Sequence, residues 1–141
     1  MKKVRLILLV DDSEADNYFH SLVIEKSACV EKVVAKDSGP AALEYLKSTD
    51  INGDYPQPDI IFLDINMPGM DGWTFLDEYD QLLDKQKGVI VVVMLTTSRN
   101  PDDKEKANDI PDVADFRTKP LTDSMLKEIV KRYLEVDCGP S

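Results

Sequence analysis

Leu6-Ile7-Leu8-Leu9-Val10-Asp11-Asp12 decides how this chain is read. Five apolar residues without polar alternation fit a strand buried on both faces, and the run stops on two carboxylates. Two runs of the same kind follow. Ile60-Ile61-Phe62-Leu63 stops on Asp64, and the stretch 89–95 stops on Thr96. Two weaker candidates hold charged residues: 30–35, with Glu31 and Lys32, and 113–118, with Asp115 and Arg117. Charges suit sheet edges, so these two are expected at the rims.

Helical periodicity fills the gaps. Tyr18, Phe19, Leu22 and Val23 form one apolar stripe, Ala42, Leu43 and Leu46 a second. Phe75, Leu76, Tyr79, Leu82 and Leu83 form a third, and Leu126, Ile129, Val130, Tyr133 and Leu134 a last one. Ser38 and Thr122 read as helix caps, and 101–109 as a short helix opened by Asn100-Pro101 and closed before Pro111. Strand and helix thus alternate five times. That order predicts an α/β fold: a doubly wound, flavodoxin-like parallel sheet of five strands, with five helices making three layers. Polar edges favour strand order 2-1-3-4-5.

The 141 residues amount to about one domain. Acids outnumber bases 27 to 17, a net charge of −10, which argues against nucleic-acid and anionic-membrane partners. The first apolar run meets Asp11-Asp12 without a cleavage site, which rejects a signal peptide, and no run is long enough to span a membrane. Cys29 and Cys138 make no disulfide framework and no metal-ligand set, so reduced thiols in a cytoplasmic setting are expected, with Cys29 a small packing residue. Residues 1–135 are read as the domain and 136–141 as a short tail with no output domain attached.

In open α/β sheets, ligands sit beyond the carboxyl ends of the strands where the strand order reverses. Order 2-1-3-4-5 puts that crevice between strands one and three. Asp11, Asp12 and Asp64 are then aimed at one mouth, with Thr96 and Lys119 from strands four and five. Clustered carboxylates need a cation, and an all-oxygen donor set suits a hard one. Mg²⁺ fits best, with Mn²⁺ as a substitute. Lys119 offers a point charge and Thr96 a hydroxyl, so the group could stabilise a phosphoryl placed on Asp64.

These residues carry a resemblance. Val10-Asp11-Asp12, the run from Asp64 to Gly72 (DINMPGMDG), Leu95-Thr96-Thr97-Ser98 and Lys119-Pro120 together resemble a single-domain response-regulator receiver domain of the CheY-like superfamily. The resemblance implies a phosphoacceptor switch of a two-component phosphorelay rather than an enzyme. Asp64 would accept a phosphoryl group from a histidine kinase or phosphotransfer protein. Asp11, Asp12, Asp64 and the Asn66 carbonyl would hold the metal, and Lys119 and Thr96 would bind the phosphoryl oxygens. Thr96 and Phe116 would form the switch, Asn66 and Ser98 would tune dephosphorylation, and Pro120 would follow a cis bond. The signal would leave through the fourth helix, fifth strand and fifth helix to an unidentified protein. Phe116 lacks the hydroxyl that many relatives have, which leaves a packing switch. Thr97 fills a place that is often smaller, which would narrow access, and Pro111 shortens the fourth helix.

Other readings fit less well. The loop after Asp64 puts Pro68 and Phe75 where a calcium loop needs an acid or amide and a Glu. A haloacid-dehalogenase-like phosphatase resembles Asp-x-Asp-x-Thr, but Asn66 replaces the second acid. A flavodoxin-type phosphate binder would meet Asp11-Asp12-Ser13-Glu14 in place of a glycine-rich loop. His20 is expected as a surface or half-buried helix residue rather than as a phosphohistidine.

Overall fold

The computed structural model describes residues 3–87 and 90–138. Five strands, β1 (Val4–Val10), β2 (Val30–Lys36), β3 (Ile60–Leu63), β4 (Val91–Thr96) and β5 (Val113–Thr118), form one parallel sheet in the order β2-β1-β3-β4-β5. The charged strands β2 and β5 take the edges, as their composition demands. Val89, expected at the start of the fourth strand, lies outside the described residues.

Among the described residues six helices flank the sheet: α1 (Glu14–Ser27), α2 (Gly39–Lys47), α3 (Gly72–Asp80), α4 (Asp84–Lys87), α5 (Pro101–Asn108) and α6 (Asp123–Leu134). One more appears than the periodicity predicts, because α4 is a single turn with no buried side chain and so leaves no apolar stripe. Ser38, Asn100 and Thr122 accept N–H bonds as caps of α2, α5 and α6.

Alternation along the strands divides the core. Leu8, Val10, Ile61, Leu63, Val92 and Met94 face α2, α3 and α5, while Ile7, Leu9, Ile60, Phe62, Val93 and Leu95 face α1 and α6. A register shift between Val92 and Val93 inserts one residue into β5, so Val92 pairs with Val113 and Val93 with Asp115. Among the described residues no helix is long and apolar enough to cross a membrane.

Two expectations are corrected. The aromatic stripe of α1 does not face the core: Tyr18 is 69% and Phe19 49% exposed, and the buried side is Asn17, His20, Ile24 and Ser27. The Ser13 cap and a hydrogen bond from Asn17 Nδ2 to the Asp11 carbonyl (2.8 Å) set the helix phase, and they turn polar residues inward. His20 is therefore buried, at 3% exposure. The cysteines, expected as free thiols, form a disulfide with Cα atoms 5.1 Å apart. Past α6, Glu135 adopts a left-handed conformation, and the Val136 N–H turns back to the Val130 carbonyl at 3.2 Å. Val136 is fully buried, and Cys138 reaches Cys29 at the foot of β2. A separation of 109 residues hides this pairing from local sequence reading.

Candidate functional site

The strands deliver their carboxyl ends to one mouth. Asp11 and Asp12 follow β1, Asp64 follows β3, Thr96 ends β4 and Lys119 follows β5. Ladder-like bonds run on through these residues: Asp11 N–H to the Lys36 carbonyl (3.2 Å), Asp64 N–H to Val10 (3.0 Å) and Lys119 N–H to Thr96 (2.9 Å). The site therefore stands on the rigid part of the fold. One carboxylate oxygen each from Asp11, Asp12 and Asp64 lies within 4.8 Å of the others. Asp11 and Asp64 are buried and Asp12 is exposed. Lys119 Nζ stands 2.6 Å from Asp11 Oδ2, 2.8 Å from Asp16 Oδ2 and 3.5 Å from Asp64 Oδ2.

Burial pushes the Asp64 carboxyl above its ordinary pKa. The Lys119 charge partly offsets that rise and Asp11 adds to it, while hydrogen bonds from Thr96 and the Asn66 N–H favour the anion. For Lys119, burial works against the charged form, but hydrogen bonds to Asp11 and Asp16 and the charges of Asp64 and Asp11 outweigh it. The ammonium stays protonated well above the usual lysine range. A buried carboxylate made reluctant to ionise, beside two more, is an environment that a divalent cation relieves. The donors are all oxygen, which fits a hard ion.

The receiver domain family of response regulators matches residues 7–131. The chain belongs to that family. This receiver is 37% identical over 99 residues to the response regulator Rcp1 of Synechocystis sp., across 70% of this chain and 66% of Rcp1. It is 35% identical over 120 residues to the response regulator PleD of Caulobacter vibrioides, across 85% of this chain and 24% of PleD. The matched segments thus span less than two thirds of these relatives. Among solved structures, a two-component response regulator from Cytophaga hutchinsonii superposes with a TM-score of 0.84 at 32% identity, covering 95% of this chain and 99% of that one. The Mn²⁺-bound form of Rcp1 superposes with a TM-score of 0.72 at 32% identity, covering 96% and 99%. Receiver domains bind a divalent metal in an acidic pocket of this kind, and they are regulatory modules of two-component signalling rather than catalysts.

The remaining residues of interest in the receiver sit around that pocket. Thr96 is fully buried, and its Oγ1 accepts the Ser98 N–H at 3.2 Å. The Ser98 hydroxyl itself turns away and donates to the Asp103 carboxylate on α5. Asn66 is exposed at the rim. Phe116 is half-buried, opposite Met94, and packs on the α2–α3–α5 side of the sheet. The Lys119-Pro120 bond is cis.

Two residues at the mouth escaped sequence reading, Asp16 and Asn17, while His20, expected as a surface or half-buried residue, lies buried behind it. A search for apolar stripes passes over them because they are polar. Counting three and four residues on from the Ser13 cap would have placed Asp16 and Asn17 beside the mouth.

Proposed function

We propose that this receiver is a phosphoacceptor switch in which Asp64 is the acceptor. An Asp64 carboxylate oxygen bonds to the phosphorus of a phosphohistidine on a partner histidine kinase or phosphotransfer protein. The nitrogen–phosphorus bond breaks, and the imidazole leaves with the electron pair. The observation behind this reading is the Lys119 ammonium placed against Asp11 and Asp64 within the carboxylate cluster.

Asp11, Asp12, Asp64 and the Asn66 carbonyl would hold Mg²⁺, or Mn²⁺ in its place. When bound, such an ion neutralises the carboxylates and the phosphoryl oxygens. Lys119 supplies the other positive charge and Thr96 a hydroxyl donor. The Thr96 hydroxyl turns to the phosphoryl group, and Phe116, with no hydroxyl of its own, follows by packing. The face of α5, β5 and α6 then changes, and a protein that prefers the changed face reads the signal. Asn66 and Ser98 govern how water reaches the acyl phosphate.

Residues 1–135 form the switch in this reading, and its setting is the cytoplasm. Incubation with Mg²⁺ and acetyl phosphate should add one phosphoryl mass, and Asp64→Asn should abolish it. A variant labelled as well as the parent would show that Asp64 is not the acceptor.

A further inference from the structure

Asp16 has no part in the scheme above, yet it stands closer to Lys119 (2.8 Å) than Asp64 does (3.5 Å). Its place on α1 explains why its carboxylate is available. Ser13 caps the helix, and its Oγ accepts the Asp16 N–H at 3.1 Å. An acid three residues past such a cap ordinarily completes a capping box by accepting the cap residue's own N–H. Here the Ser13 N–H already donates to Asp11 Oδ1 at 2.9 Å. The Asp16 side chain is thus left out of the cap, and it reaches across the mouth to an ammonium 103 residues away in sequence.

An ammonium has three N–H donors, and Lys119 has three carboxylates within 3.5 Å. An oxygen newly arriving at Asp64 must take a donor from one of them. Asp11 is buried and belongs to the carboxylate cluster; its Oδ1 and Oδ2 serve Ser13 and Lys119. Asp64 is the group being modified. Asp16 stands outside the cluster with a side chain 41% exposed, so water can satisfy its carboxylate once the contact opens. Its bond is the one that gives way at least cost.

We infer that Asp16 is a positioning residue for Lys119. It draws the ammonium to the α1 side of the mouth while Asp64 is unmodified and yields it to the phosphoryl oxygens afterwards. The inference rests on the phosphoacceptor reading of Asp64. It makes the Asp16–Lys119 contact a brake on phosphorylation, of a strength typical for a half-exposed ion pair, about threefold in rate.

The test compares initial labelling by acetyl phosphate with Mg²⁺ in the parent, Asp16→Asn, Lys119→Met and the double variant. Asp16→Asn should speed labelling about threefold when Lys119 is present and leave it unchanged in the Lys119→Met background. Loss of a negative charge near an anionic donor, or a change in helix capping, would act alike in both backgrounds. Equal acceleration in the two therefore overturns the inference, as does an Asp16→Asn rate, with Lys119 present, that is level with the parent's or below it. Asp16→Glu, which keeps the carboxylate, should return towards the parent rate. In metal-free protein the Lys119 Nζ resonance, assigned by its loss in Lys119→Met, should move on Asp16→Asn; an unmoved resonance overturns the contact itself. A parent that takes no label, or an Asp64→Asn variant that does, strikes the reading of Asp64 instead, and the resonance still reports on the contact.

Discussion

Gly39 and Gly72 form a matched pair for asking what holds the Asp64 segment in place. Each is the first residue of its helix, each is buried, and neither has a left-handed backbone. Any gain in helix propensity from alanine is therefore nearly the same at both sites and cancels in the comparison. What differs is what the new methyl would meet. At Gly39 it would lie 2.5 Å from Met70 Sδ and 2.9 Å from its Cγ, the far end of a flexible thioether that can swing aside. At Gly72 it would lie 2.6 Å from the Asp64 carbonyl oxygen and 2.9 Å from Ile65 Cα, both backbone. That is about 0.8 Å inside the 3.4 Å of ordinary contact. The Gly72 N–H also donates to the Ile65 carbonyl at 2.8 Å, so helix and loop cannot part freely. Overpacking against fixed atoms costs about 1–3 kcal/mol. With a urea slope of about 2 kcal/mol/M, the Gly72→Ala midpoint should fall by about 0.5–1.5 M while Gly39→Ala stays within about 0.3 M of the parent. Urea titration followed by circular dichroism reads both. If Gly72→Ala proves as stable as Gly39→Ala, the packing of α3 on the Asp64 backbone is not what this geometry implies.

Three further outcomes follow from the charges and the covalent link. Lys119→Met strips the counter-ion from buried Asp11 and Asp64; metal-free protein should lose about 3 kcal/mol, roughly 10 °C in Tm, and Mg²⁺ should restore more in the variant than in the parent. Unchanged melting would mean that the ammonium does not neutralise the cluster. Asp64 has a folded pKa raised by burial, so its contribution to stability is present below its unfolded pKa and is lost as pH rises through the folded one. Metal-free Asp64→Asn should accordingly be more stable than the parent at pH 7, with the advantage gone at pH 3, as thermal melts at the two pH values would show; a less stable variant at pH 7 reverses the sign. The Cys29–Cys138 link closes a loop of 109 residues, so reduction should lower the urea midpoint, by up to about 4–5 kcal/mol in unfolding free energy, and thiol titration before reduction should find no free cysteine.

What could be read in advance follows from which signals are local. The uninterrupted apolar runs of β1, β3 and β4 named the buried strands, and the charges in β2 and β5 named the edges; strand order then placed Asp11, Asp12, Asp64, Thr96 and Lys119 at one mouth. Periodicity failed where a helix buries polar residues. On α1 it chose Tyr18 and Phe19, because a hydrophobic stripe gives no weight to Asn17, His20 or Ser27. It also passed over α4, which buries nothing, and the disulfide, which depends on how α6 and its turn bring Val136 and Cys138 back beneath β2.

The polar underside of α1 makes sense when set against Asp11. Burying Asn17 and His20 gains less than burying two leucines would, and Asn17 Oδ1 has no hydrogen-bond partner among the described residues. The same Asn17 gives its Nδ2 to the Asp11 carbonyl, while the Asp11 side chain accepts from Ser13 and Lys119. Asp11 is therefore fixed at its backbone from below and at both carboxylate oxygens from above. An apolar residue at position 17 would pack better but would leave that carbonyl free to turn, and with it the carboxylate. Local pattern and burial disagree along α1 at the place where a charged group must be held still, as expected when a site, rather than stability alone, has set the choice of residues.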